Sequence, residues 1–189
     1  MDLGFENIAK SAFGFLESKY RFSCVELGPW CVRYESPKVF VLVMFDGTRS
    51  YELGCSIGRM DDFEGSRQVP FELGEVMRAE GISNENMSFQ VTTSDALRTF
   101  TCRLAEQLER CAHRVLTGDD SVFKSVSDLR NRECAKYATE KRLEQTKTAA
   151  ESAWQSKEYR KVVELLSPVQ EWLNPSEVKK LEYARKRVR

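Results

Sequence analysis

The chain has 189 residues, 41% hydrophobic and 31% charged, with 29 Lys plus Arg against 29 Asp plus Glu. That suits one globular domain of ordinary size, or one with a small appendage, able to bury a core without disulfide or metal. The neutral balance excludes a whole-chain pull toward nucleic acid or membrane, and no apolar run approaches the roughly 18 residues of a membrane span.

In chain order, Phe5, Ile8, Ala9, Ala12, Phe13, Leu16 and Tyr20 recur at steps of three and four, which predicts one helix over residues 5–20. Strands follow. Phe22 and Cys24 alternate with polar neighbours, and after Gly28-Pro29 so do Trp30, Val32 and Tyr34. Val39 to Phe45 is apolar on both faces, the pattern of a central strand covered on both sides. Asp46-Gly47 predicts a hairpin turn, and Tyr51, Leu53, Cys55 and Ile57 then alternate again. Connections this short demand an antiparallel meander.

Residues 59–69 read as a polar loop closed by Pro70, and Phe71 to Ala79 as a short helix ended by Gly81. Residues 82–92 fit either a loop or an edge strand around Met87 to Val91. Ser94 suits an N-cap with Asp95 in the first turn. Leu97, Phe100, Leu104, Leu108, Cys111, Val115 and Leu116 then make one stripe down to Gly118. A further helix starts at Asp119, with Val122, Val126, Leu129 and Tyr137 on its apolar face. Between Thr139 and Thr148 only Leu143 is apolar among mostly charged and polar groups, so this stretch is a protruding helical arm or a joint. Beyond it, Ala150, Ala153, Trp154, Tyr159, Val162, Val163, Leu165 and Leu166 supply a new apolar set. Asn174-Pro175 with Glu177 then predicts a capped helix start. The expected fold is α+β: an N-terminal helix, an antiparallel sheet of three to five strands, then helices with a C-terminal helical hairpin. The expected division is 1–138, a polar arm or joint at 139–148, and a hairpin appendage at 149–189.

The six cysteines, Cys24, Cys31, Cys55, Cys102, Cys111 and Cys134, contain no Cys-x-x-Cys spacing. They read as reduced and mostly buried, and the N-terminus lacks the pattern of a signal peptide, so a cytoplasmic location is expected. His113 is the only histidine, and Cys111 points about 200° away from it on a helix, so no local Cys-His pair forms. There is no glycine-rich phosphate loop and no G-x-S-x-G elbow. Gly54 and Gly58 lie in a strand, the wrong context for a dinucleotide. No catalytic set, metal site or cofactor is therefore expected.

Residues 1–118 hold 17 acidic and 13 basic residues, a net of −4, and residues 119–189 hold 12 and 16, a net of +4. The positive excess lies in residues 176–189, a nucleic-acid patch or, more simply, cations complementing a helix C-terminus. The acidic cluster Asp61, Asp62 and Glu64 has oxygen ligands but no EF-hand spacing. Phe63 among these acids is either core or an exposed anchor for a partner.

Two stretches carry a family resemblance. The first helix, Tyr20-Arg21-Phe22, Val32 to Ser36, the apolar strand, Ser50-Tyr51-Glu52 and Ser56-Ile57-Gly58 together resemble uncharacterised bacterial α+β proteins of the polymorphic-toxin immunity type. Ala150, Ala153-Trp154, Tyr159, Val162-Val163 and Leu165-Leu166, with the following helix, resemble a single tetratricopeptide-like hairpin, with Ser156 where that pattern has glycine. The first resemblance implies a non-catalytic, toxin-neutralising protein that covers a protein partner. The acidic N-terminal portion suits a basic one, and its acids with an aromatic anchor put the expected contact at Asp61, Asp62, Phe63 and Glu64. The second is compatible with self-association through the hairpin. The competing classes are a small cytosolic enzyme using carboxylates or a cysteine, and a nucleic-acid accessory protein using the basic tail.

Overall fold

The computed structural model describes residues 4–63 (backbone alone at Asp62 and Phe63), 69–82, 85 and 87–188. The predicted first helix is two: α1 (Phe5–Ala12) and α2 (Phe15–Tyr20). Phe13 and Leu16 are both fully buried, and the break at Gly14 lets each helix aim its own apolar side into the core.

Strands β1 (Ser23–Leu27), β2 (Cys31–Glu35), β3 (Val39–Phe45) and β4 (Glu52–Arg59) form the expected meander. Two short strands complete a six-stranded antiparallel sheet: β5 (Phe71–Glu72) pairs with Ser56 and Ile57, and β6 (Phe89–Gln90) with Glu52 and Leu53. Strands of two residues leave no period-2 signal, which is why Phe71 reads as a helix start and residues 82–92 as ambiguous. Met60–Phe63 (α3) is a helical turn, not loop, and α4 (Leu73–Ala79) begins with a reciprocal capping box between Glu72 and Glu75.

One sheet face is the core face. Register sets Val32 and Tyr34, Val41 and Val43, and Cys55 and Ile57 side by side, all buried. Against the same core pack the two N-terminal helices, α4 and α5 (Ser94–Cys111), whose N-cap is Thr93, not Ser94: its hydroxyl accepts from the Ala96 N–H at 3.3 Å. The stripe predicted down to Gly118 is interrupted at Ala112, where α5 gives way to α6 (His113–Leu116). Gly118, at φ +77°, closes α6 with the left-handed conformation expected of a helix end.

The chain divides into two compact units, residues 1–130 and 131–189. Helix α7 (Asp120–Gln155) is unbroken over 36 residues. The polar stretch 139–148 is helical throughout, and every residue from Asn131 to Arg142 is exposed, including Tyr137, which the sequence pattern places on a buried face. Within the first unit, Arg130 donates to the Glu75 carboxylate (2.7 Å) and to the carbonyls of Val69 (2.7 Å) and Pro70 (2.9 Å), and stacks over Phe71.

The second unit has its own core. α7 ends in a Schellman turn, with Glu158 N–H on the Ala153 carbonyl and Lys157 N–H on that of Trp154. α8 (Tyr159–Leu166) leads through a 3₁₀ segment (Ser167–Trp172) to α9 (Pro175–Val188). The Asn174 cap is as predicted: its carboxamide oxygen accepts from the Ser176 and Glu177 N–H groups, both at 2.9 Å, and Glu177 accepts from the Asn174 N–H. Trp154, Tyr159 and Tyr183 pack mutually edge to face, with centroids 5.4 to 5.7 Å apart.

Candidate functional site

Strand alternation sends every second side chain of the sheet away from the core. The register aligns Cys31, Met44 and Gly54 in one row, Glu26, Arg33, Leu42, Ser56 and Glu72 in the next, and Glu35, Phe40 and Gly58 in a third. The sequence predicts that β3 is covered on both sides. Here that expectation divides along the strand. Phe40 is 3% exposed, yet it belongs to neither buried cluster. Its ring lies beneath the Arg33 guanidinium (4.4 Å) and against Gly58, where a β-carbon would stand 2.3 Å from it. At the other end of the strand Met44 is 45% exposed.

At that end the face deepens into a trough of about 680 Å³, within the range of ligand sites. Glu52, Gly54 and Ser56 of β4 line it together with Met44 of the neighbouring β3, Glu72 of the neighbouring β5, and Trp30. The trough also reaches the interval between β5 and β6, which pair with β4 on either side of Gly54 and Cys55 but with neither of those residues. Trp30 is 42% exposed and packs over Gly47 and Phe45. The predicted hairpin turn is a longer loop. There Asp46 accepts from the N–H groups of Thr48, Arg49 and Ser50 at 3.0 to 3.2 Å, and these backbone donors hold its carboxyl well below the usual range. Tyr51 ends the loop at φ +53°, exposed, and not in β4 as its alternation suggests.

The face is acidic. Glu26, Glu35, Glu52 and Glu72 lie in its outward rows together with Arg33, which donates to Glu35 at 2.6 Å, and Arg49 of the 46–51 loop adds a second cation beside the trough. Glu52 accepts from the Ser88 hydroxyl, and Glu72 from the Glu75 N–H in its capping box. A carboxylate has about four lone-pair directions, so both retain acceptor capacity.

Of the loop residues predicted as a partner surface, Asp61 is exposed and pairs with Arg59 at 3.7 Å. The side chains of Asp62 and Phe63, and the whole of Glu64, lie outside the described residues. The trough residues were missed because they are scattered from Trp30 to Ser88 and none is unusual alone. The one available signal was Gly54, a glycine inside an alternating strand.

The cysteines correct the sequence reading. All six are free, but only Cys55 is buried, and Cys102 and Cys134 are exposed on helices. Burial pushes the Cys55 thiol up to about 12. His113 meets Tyr20, not a cysteine, with its Nδ1 3.2 Å from the phenol oxygen. In the basic C-terminal helix, Lys180 pairs with Glu151, Arg185 donates to Ser167 and Gln170, and Arg187 to Tyr183. Among the described residues, no group of three or more His, Cys, Asp or Glu could hold a metal ion, and no helix is long and apolar enough to cross a membrane. The chain matches no protein-family model, no curated protein and no solved structure.

Proposed function

We propose that this is a non-catalytic binding protein of the toxin-neutralising kind, which works by covering a basic protein partner with the outer face of its sheet. The observation that carries this reading is the uncovered end of that face. An apolar patch of Leu42, Met44 and Trp30 shares that face with Glu26, Glu52 and Glu72, while Glu35 is paired with Arg33 at the covered end and Arg49 is the cation of the trough. Acidic groups of this kind speed encounter with a basic surface, while buried apolar and aromatic anchors slow its release. This reading puts the contact on the sheet, with Asp61 as an outlying acid.

The test is affinity capture from the native host, followed by co-expression of the captured protein with and without this chain. A basic protein whose toxicity this chain abolishes supports the reading. Met44→Arg places a like charge at the centre of the face without touching the core, and should weaken that complex at least tenfold (about 1.4 kcal/mol). A complex indifferent to Met44→Arg, or turnover of a small molecule in place of any macromolecular complex, overturns it.

A further inference from the structure

The glycines of the outer face are not alike. At Gly58 a β-carbon would strike the Phe40 ring, and at Gly47 it would come within 2.3 Å of the Trp30 ring, so packing inside the protein accounts for both. Gly54 has neither excuse. Its φ is not positive, and a β-carbon there would meet nothing within 4 Å. A glycine inside a strand weakens it by roughly 0.5–1 kcal/mol relative to alanine. Apart from bulges and tight bends, an interior strand glycine is often found where a ligand or another backbone approaches closely.

We infer that the Gly54 trough seats an arginine or lysine side chain carried on an extended segment of a basic protein partner. Three features of the trough choose that occupant. Its charged lining is three carboxylates, Asp46, Glu52 and Glu72, against the single guanidinium of Arg49. Asp46 accepts three N–H groups of its own loop, whereas Glu52 and Glu72 have one donor each, the Ser88 hydroxyl and the Glu75 N–H, and so keep more acceptor capacity for a guest. Met44 and the exposed part of the Trp30 ring offer apolar surface to the methylene stem and a π-face to the cation. Bare backbone at Gly54, beside the interval between β5 and β6, admits the main chain that delivers the side chain.

This proposal rests on the binding-protein reading above and is tested separately from it. The probe is an end-capped hexapeptide of alternating arginine and leucine, titrated by calorimetry into the full chain at low and at physiological salt. Binding is expected, weaker at the higher salt, and absent for the glutamate–leucine counterpart. Gly54→Val fills the trough while its β-carbon finds open space, and a β-branched residue suits a strand. Its melting temperature should hold or rise while peptide affinity falls at least tenfold. Glu52→Gln with Glu72→Gln keeps the shape, removes the charge and should cost a similar factor at low salt, so the proposal stays falsifiable if one variant misfolds. Wild-type protein that fails to bind the peptide overturns the proposal, as does affinity unchanged in folded Gly54→Val. Free arginine amide binding as tightly as the peptide also overturns it, because the site would then serve small cations. A natural partner that is captured and neutralised, yet insensitive to Gly54→Val, sinks the trough and leaves the binding reading standing. Peptide binding through Gly54 without a toxic partner does the reverse.

Discussion

The two units bury very different interiors. The first packs a sheet against helices and encloses whole aromatic rings: Phe5, Phe13, Tyr34 and Phe45 are each at most 1% exposed. The second is helices alone, and its buried cluster is Ala150, Ala153, Val162, Leu166, Leu181 and Ala184, with Trp154 and Tyr159 only partly covered. Burial scales with the layers a unit can stack, so the first resembles a conventional domain interior and the second a thin helical seam. The stabilities should differ accordingly, and each of the following outcomes would sharpen or break that contrast.

The largest effect is expected in the first core. Leu104→Ala empties a fully buried site on α5 and should cost about 2–5 kcal/mol in denaturant unfolding. Leu181→Ala, the matching change in the second unit, should lower only that unit's transition. Cys55 provides the readout. Buried in the first unit, it should stay protected from thiol reagents in Leu181→Ala and become labelled in Leu104→Ala, whereas Cys102 and Cys134 react in both. Labelling of Cys55 in Leu181→Ala would show that the two cores melt as one.

Arg130→Ala should cost about 2–3 kcal/mol, because it strands a carboxylate and two carbonyls at once. Burial pushes the Glu75 carboxyl up, but hydrogen bonds from Arg130 and the Glu72 N–H outweigh it and hold the group below its usual value. Without Arg130 that value should rise, and carboxyl titration followed by NMR would show it. An unchanged Glu75 titration would mean that the guanidinium is not the group holding it down.

Smaller still is Lys157→Gly in the second unit. Lys157 sits at φ +61°, where only glycine is unstrained. The change should stabilise the second unit by about 0.5–1 kcal/mol, read as a higher melting temperature, while leaving Cys55 protection untouched. Acid provides the finest test. The Ser121 hydroxyl and N–H, with Arg114, hold Asp119 at about 2, below its usual 3.8. A lowered folded value contributes stability above the unfolded one, and that contribution is lost as the pH falls from about 4 toward 2. Asp119→Asn should flatten this part of the pH–stability curve, and an unaltered curve would show that the hydrogen bonds to Asp119 do not persist in solution.

What was legible in the chain was whatever one element shows by itself. Alternation located β2 and β4, an unbroken apolar run located β3, the caps located α9, and the α+β order followed from short connections between strands. Features that depend on a distant neighbour were not legible. Whether Phe13 and Leu16 belong to one helix or two is settled by the shape of the core they enter. The two-residue strands β5 and β6 exist only because β4 offers them an edge.

The candidate site follows the same rule. Sequence alone determined that Gly54 and Met44 each lie in a strand, because alternation and a short apolar run are local properties of extended backbone; it had Met44 covered, and the structure leaves it 45% exposed. Only the tertiary structure decided that these two stand side by side, with Trp30, Glu52 and Glu72 closing the trough around them. Register and the placement of short strands are fixed by contacts between segments far apart in the chain, and no local periodicity encodes them.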